Sequence, residues 1–253
     1  MGQRALPLTP PRLGRAVQTA GSPDEVSGVV LLLPDGEADS LRRPSTLSYA
    51  AQLPLARALA RAGQDDGLAV HVLRYRHRGW NTDAEDPVQD AVWAATEVQG
   101  RYGDVPVCLA GHGMGGRAAL RAAAHGAVNS VLAMAPWLPE GSADSPEPVK
   151  QLAGRRVLIV HGTNDEHTDP ELSYRLAARA KKSHQDICRF EVHSDGHALR
   201  QHRPEVLALA ADFVRGSLFA RSYARPVADA LAAPPPLGLR MPLAAGFGRS
   251  LRH

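Results

Sequence analysis

A mostly parallel, doubly wound α/β sheet with helices on both faces is the fold that this chain predicts. Three observations predict it: continuous apolar runs of strand length, helix openings marked by Asp-Pro or Pro between them, and glycines where those helices would stop.

The runs come first. Val29-Val-Leu-Leu-Leu33 is apolar throughout, as expected of a parallel strand covered on both faces. Similar runs are Leu68 to Leu73, Val105 to Ala110, Ser130 to Ala135 and Val157 to Val160. A last one, Ile187 to Val192, alternates: Cys188, Phe190 and Val192 fall on one side, Arg189 and Glu191 on the other. That pattern predicts a strand nearer the sheet edge. Between the runs, Asp86-Pro87 with Gln89 supplies an N-cap, an N1 proline and an N3 partner. From there Val88, Ala91, Val92 and Ala95 line one face. Asp169-Pro170 opens a second helix with Leu172, Leu176 and Ala180 as its stripe, and Pro204 a third that buries Val206, Leu209, Ala210 and Phe213. Gly63 and Gly126 sit where helices would end.

The organisation is a folded middle, residues 27–218, between two looser ends. Residues 1–26 are rich in Pro, Arg and small residues without periodicity. Residues 219–253, with Pro234-Pro235-Pro236 and scattered Arg, read as a Pro/Ala/Arg-rich flexible tail with a transient helix around Val227 to Ala232. At 253 residues, 44% hydrophobic and 22% charged, the composition is that of an ordinary globular protein with room for a sizeable core. The formal charge of +3 comes from Arg in the two ends, with no basic face or interleaved aromatics, which argues against nucleic acid as a partner. The two cysteines, Cys108 and Cys188, each lie in an apolar run and read as buried thiols in a reducing compartment. The N-terminal stretch lacks an apolar core of the secretory type, and no apolar run approaches the roughly 20 residues of a membrane span. A cytoplasmic protein without membrane attachment is expected.

The stretch Leu109-Ala-Gly-His-Gly-Met-Gly-Gly116 carries the chemistry, and it reads two ways. Gly111, Gly113 and Gly116 make G-x-G-x-x-G, the loop that lays a dinucleotide pyrophosphate on a helix N-terminus. With Ser in place of Gly113 the same stretch would be the nucleophile elbow G-H-S-M-G. The dinucleotide reading wants an acidic residue at the end of the next strand, where this chain has Ala133-Met-Ala-Pro-Trp137. Two strands also precede the loop. Further along, His161-Gly-Thr-Asn-Asp165 follows one strand and His193-Ser-Asp-Gly-His197 the next, and Tyr75-Arg-His-Arg-Gly79 follows an earlier one. An elbow, then an aspartate, then a histidine, each after a strand, is the order of an acyl-transfer triad.

On these residues the region from about 27 to 217 resembles a small α/β-hydrolase of the lidless esterase or dienelactone-hydrolase kind. The resemblance implies the α/β-hydrolase fold, with Gly113 at the nucleophile position, Asp165 as the acid and His197 as the base. It also implies oxyanion donors at the Met114 N–H and in Pro34-Asp35-Gly36-Glu37, near Glu37 with Gly36 beside it, and a place for His112 at the pocket. Only about twenty residues separate Trp137 from Val157, so no sizeable lid domain is expected.

Glycine at 113 has no nucleophilic atom, so the acyl-enzyme route is expected to be absent. Glycine does suit the backbone there, since a sharp elbow costs a side-chain-bearing residue about 1–3 kcal/mol. Cys108, Ser130 and Ser194 carry no sign of activation. Two N–H groups at a helix N-terminus favour a carboxylate or ester oxygen, making an acidic or ester-type small molecule the expected ligand. His112, His161, His167, His193 and His197 cluster on the loops, yet their spacing shows no compact three-ligand set, and neither a metal nor a cofactor is expected. The functional expectation is a degenerate ester-type hydrolase serving as a small-molecule-binding protein. One alternative is a hydrolase using water activated by His197 and Asp165. Another is a nucleotide-binding module built on the three glycines.

Overall fold

The computed structural model describes residues 10–17, 25–140 and 147–249. Its eight strands are β1 (Arg12–Leu13), β2 (Gly28–Leu33), β3 (Leu68–Arg74), β4 (Val107–His112), β5 (Val128–Met134), β6 (Arg156–Gly162), β7 (Ile187–Val192) and β8 (Met241–Pro242). They form one sheet in the order β1-β3-β2-β4-β5-β6-β7-β8, parallel except for β1 against β3. Among the described residues the α-helices are α1 (Thr46–Ala62), α2 (Asp86–Tyr102), α3 (Met114–Arg121), α4 (Pro170–Ser183), α5 (Arg203–Phe219) and α6 (Arg225–Ala232).

The continuous apolar runs are continuous because both faces of the sheet are covered. Val29, Leu31 and Leu33 of β2 pack with Ala91, Ala94, Ala95 and Val98 of α2, Leu120 of α3 and Leu176 of α4. The alternate residues Val30 and Leu32 join Leu55 and Leu59 of α1, Leu209 and Phe213 of α5 and Val227 of α6. Cys108 and Cys188 are fully buried free thiols, and burial pushes each up to about 12.

Chain order reverses between β2 and β4. β2 is followed by β3 on one side, and the chain then crosses to β4 on the other. The crevice outside the carboxyl ends of such a pair is where open α/β sheets bind ligands. Asp35 leaves β2 into that crevice, and Gly113 leaves β4 into it.

Two expectations are corrected. The segment after 219 is packed through residue 249, not loose: α6 buries Val227, Ala230 and Leu231, Leu239 is fully buried, and β8 pairs with β7. Lys181 anchors it, its buried ammonium donating to the carbonyls of Ile187, Ala230 and Leu231 at 2.6, 2.9 and 3.2 Å. β7 lies second from the sheet edge, as its alternation predicts, with only the two-residue β8 outside it. Its polar side is covered too, with Arg189 1% exposed and donating to Glu191, Ser173 Oγ and the Leu239 carbonyl. Helix α2 starts differently as well. Its N-cap is Glu85 in the left-handed region, and Asp86 lies inside the helix, accepting from Asn81. Of the N-terminal segment, residues 10–17 carry β1, and the Gly14 carbonyl lies 2.8 Å from His71 Nδ1; the rest up to residue 24 lies outside the described residues. Among the described residues no helix is long and apolar enough to cross a membrane.

Candidate functional site

Gly113 stands at the sharp turn between β4 and α3 with φ 55 and ψ −120, a conformation that side-chain-bearing residues rarely adopt. The neighbouring glycines are set by close backbone approach. A Cβ on Gly115 would lie 2.0 Å from the Leu33 carbonyl oxygen, and one on Gly111 would lie 2.2 Å from the Gly115 backbone. Packing of α3 onto the ends of β2 and β4 therefore accounts for these glycines, with no pyrophosphate needed to explain them.

The space beside Gly113 is filled. A Cβ built there would sit 2.1 Å from Asp35 Oδ1. That oxygen accepts hydrogen bonds from the Met114 and Gly36 N–H groups, both at 2.8 Å. The two donors thus converge as an oxyanion cradle does, and the chain's own carboxylate lies in it. Burial raises the Asp35 pKa, but His197, the His112 charge and the two N–H bonds outweigh it and hold the carboxyl below its ordinary value. Glu37, expected near the second donor, is placed elsewhere. Its N–H donates to the Arg78 carbonyl at 3.0 Å, its side chain pairs with Arg78, and Gly36 supplies the N–H instead.

Asp165 and His197 meet as expected, His197 Nδ1 lying 2.9 Å from Asp165 Oδ2. Asp165 is gripped: its Oδ1 accepts from the His167 and Thr168 N–H groups, and its Oδ2 accepts from the Thr168 hydroxyl at 2.6 Å. The buried ring of His161 stands 3.2 Å from the same Oδ2. Burial raises the Asp165 pKa, but the bonds from His161, Thr168 and His197 win and hold it far below the usual carboxylate range. His197 responds in the opposite sense. Burial disfavours its charge, yet Asp35 and Asp165 flanking the ring raise its pKa. Its Nε2 is buried without a hydrogen-bond partner and faces Asp35 Oδ2 across 3.6 Å.

The ring of His197 is sandwiched edge-on by two others, His112 with centroids 4.5 Å away and His167 at 4.8 Å. His112 Nε2 lies 2.7 Å from the His197 carbonyl, leaving Nδ1 turned toward Asp35 Oδ2 at 4.0 Å. Burial, then the His197 charge, depresses the His112 pKa. The spacing of the histidines suggested no three-ligand set, but the fold makes one: donor atoms of Asp35, His112 and His197 all lie within 4.8 Å of one another. His193 is exposed, Ser130 is buried inside β5, and Ser194 uses its N–H to bond Thr163.

Four contributors escaped sequence reading. Asp35 acts across 79 positions of chain, and no spacing could announce it. His161 was grouped with loop histidines but lies in β6, where its ring supports Asp165. Thr168 had no motif. Asp195 accepts from the Gly196, Arg200 and His202 N–H groups, shaping the loop that presents His197. Its place in Ser-Asp-Gly, where Asp commonly bonds the backbone that follows, was the one available signal.

Comparison with known proteins agrees with this fold. The family model described as "Dienelactone hydrolase family" matches residues 55–219. No curated protein sequence matches the chain significantly. Among solved structures, Est1E from Butyrivibrio proteoclasticus is 14% identical with a TM-score of 0.58, covering 83% of this chain and 94% of its own. XC6422 from Xanthomonas campestris, described as an α/β serine hydrolase without lid, is 18% identical with a TM-score of 0.56, covering 84% and 90%. The Pyrococcus furiosus esterase Pf2001 is 13% identical with a TM-score of 0.60, covering 76% and 83%. Similarities at this identity show the fold, an α/β-hydrolase fold.

Proposed function

The chain belongs to the dienelactone hydrolase family, and from that premise we propose that it has left serine acyl transfer behind and uses the strand-end pocket to hold a small molecule. One observation carries this reading. The Asp35 carboxylate takes both the space a side chain at 113 would need and the two N–H donors that an acyl oxyanion would need. An ester or carboxylate ligand reaches those donors only by displacing Asp35.

The second reading, water activated by His197, has its own support in the 2.9 Å bond to Asp165 and the unpartnered Nε2. Its weakness is protonation. Held between two carboxylates, His197 keeps its proton to higher pH than an ordinary imidazole and cannot accept one until it is lost. Enzymes stripped of their nucleophile keep only about 10³–10⁴-fold catalysis over water.

A short-chain aryl ester assay on metal-free protein separates the two. Wild type and Gly113→Ser are expected to be inactive, because the added Cβ meets Asp35 and the cradle stays filled. Asp35→Ala/Gly113→Ser is expected to gain activity, and adding His197→Ala to remove it again. Turnover by wild type that disappears in His197→Ala would reject the binding-protein reading in favour of the water route.

A further inference from the structure

The filled cradle leaves a second grouping on its open side. His112 Nδ1 and His197 Nε2 both face one oxygen, Asp35 Oδ2, at 4.0 and 3.6 Å. We propose that Asp35, His112 and His197 bind one divalent transition-metal ion, with Zn²⁺ the best fit, leaving a coordination position open to an oxygen of the pocket's small molecule or to water.

Donor chemistry comes first. Two imidazoles and one carboxylate are a borderline N₂O set that suits Zn²⁺ and its first-row neighbours, whereas Ca²⁺ and Mg²⁺ take oxygen alone. Three protein ligands are also the number that leaves a tetrahedral ion one free position.

Each ligand is already oriented by an outer partner, as metal ligands are. His112 gives its Nε2 to the His197 carbonyl, and His197 gives its Nδ1 to Asp165. Asp35 commits Oδ1 to two backbone N–H groups. The atoms left over are the three that converge. The remaining ring nitrogen of His197 is buried without a partner, a costly arrangement for a polar atom and one that an ion would relieve. Bonds of about 2.0–2.1 Å at tetrahedral angles set donors about 3.4 Å apart. The two Asp35 pairs at 3.6 and 4.0 Å need to close by tenths of an ångström, and the pair of ring nitrogens, within 4.8 Å, by up to about 1.4 Å. Side-chain rotations in partly exposed residues can supply that movement.

The site rests on the reading that Asp35 holds the nucleophile's place, and it gives the pocket a new point of attachment for the ligand that the filled cradle turns away. The test titrates metal-free, full-length protein with Zn²⁺ by calorimetry and with Co²⁺ by visible absorption. One ion per chain is expected. Asp35→Asn, His112→Ala and His197→Ala should each weaken binding at least about 100-fold, and Asp165→Asn, which touches only an outer partner, by about 10–100-fold. His193→Ala, on the exposed side of the histidine loop, should leave affinity unchanged. Far-UV circular dichroism checks that each variant is folded, and Asp35→Asn preserves shape if the others fail. Absence of stoichiometric uptake, or an ion indifferent to the first three substitutions, overturns the site. The binding-protein reading falls separately, on ester turnover by the metal-free wild type.

Discussion

The two rims of the pocket are built from different materials. On the β6–β7 rim, side chains do the positioning: Asp165 is held by Thr168, the His167 and Thr168 N–H groups and His197, with His161 behind it. On the β2–β4 rim, backbone meets backbone so closely that Gly115 has no room for a methyl group against the Leu33 carbonyl. The side-chain rim holds an Asp–His pair in the arrangement expected of its fold. At the backbone rim the Gly113 turn is lined by the Met114 and Gly36 N–H groups, and the Asp35 carboxylate accepts from both. Different materials fail differently, and substitutions can show it.

The largest effect is expected on the backbone rim. Gly115→Ala brings a Cβ to 2.0 Å from Leu33 O and 2.6 Å from Pro34 O, atoms that cannot swing away. A loss of more than about 3 kcal/mol, or failure to fold, is expected in urea denaturation. Gly126→Ala, with nothing within 4 Å of its Cβ, is the control and should be near neutral. Wild-type stability in Gly115→Ala would mean that the rim is not backbone-packed.

The side-chain rim should break next, and through charge. Asp165→Asn keeps the shape but loses the charge that its donors are arranged around, at a cost of about 1–3 kcal/mol. Acid reads the same group. Its folded pKa is depressed, so its stabilisation is present above the ordinary carboxylate value near 4 and fades as pH falls below it. The acid limb of a stability-against-pH curve should flatten in Asp165→Asn, and an unchanged limb would contradict the grip described for this residue.

Smaller still is Asp35→Ala, since this carboxylate is 32% exposed and its neighbours can be rehydrated. A stability change under about 1 kcal/mol is expected. The informative quantity is the titration of His197, followed by NMR in metal-free protein. Its folded pKa is raised, so the stabilisation it contributes is complete below the ordinary imidazole value and is lost as pH rises through the raised one. Removing Asp35 takes away one of the two carboxylates and should move that midpoint downward. A midpoint that stays put would place Asp35 away from the ring.

How much of this was legible follows the same division. The covered sheet could be read because burial on both faces leaves continuous apolar runs, and the Asp165 and His197 loops because each follows such a run. Gly113 was legible as an elbow from its neighbours. Asp35 was not, because its role depends on two strand ends meeting at the point where chain order reverses, and no local period encodes that. The tail misled for another reason. Its apolar stripe is only the short Val227, Ala230 and Leu231 face of α6, and its other anchors are carbonyls, those of Ala230 and Leu231 met by the Lys181 ammonium and that of Leu239 by the Arg189 guanidinium. Asp86-Pro87 misled because Glu85 takes the left-handed conformation and pulls the cap one residue earlier.

The contact between Asp35 and the space beside Gly113 also constrains history. On the proposed reading, a lineage that carries both residues cannot place a hydroxyl at 113 in one step, because the newcomer collides with the Asp35 carboxylate. Position 35 must shorten first, and that change alone brings no ester chemistry to select for. A loss of that kind would work as a ratchet, with the way back running through an intermediate that has given up one arrangement before gaining the other.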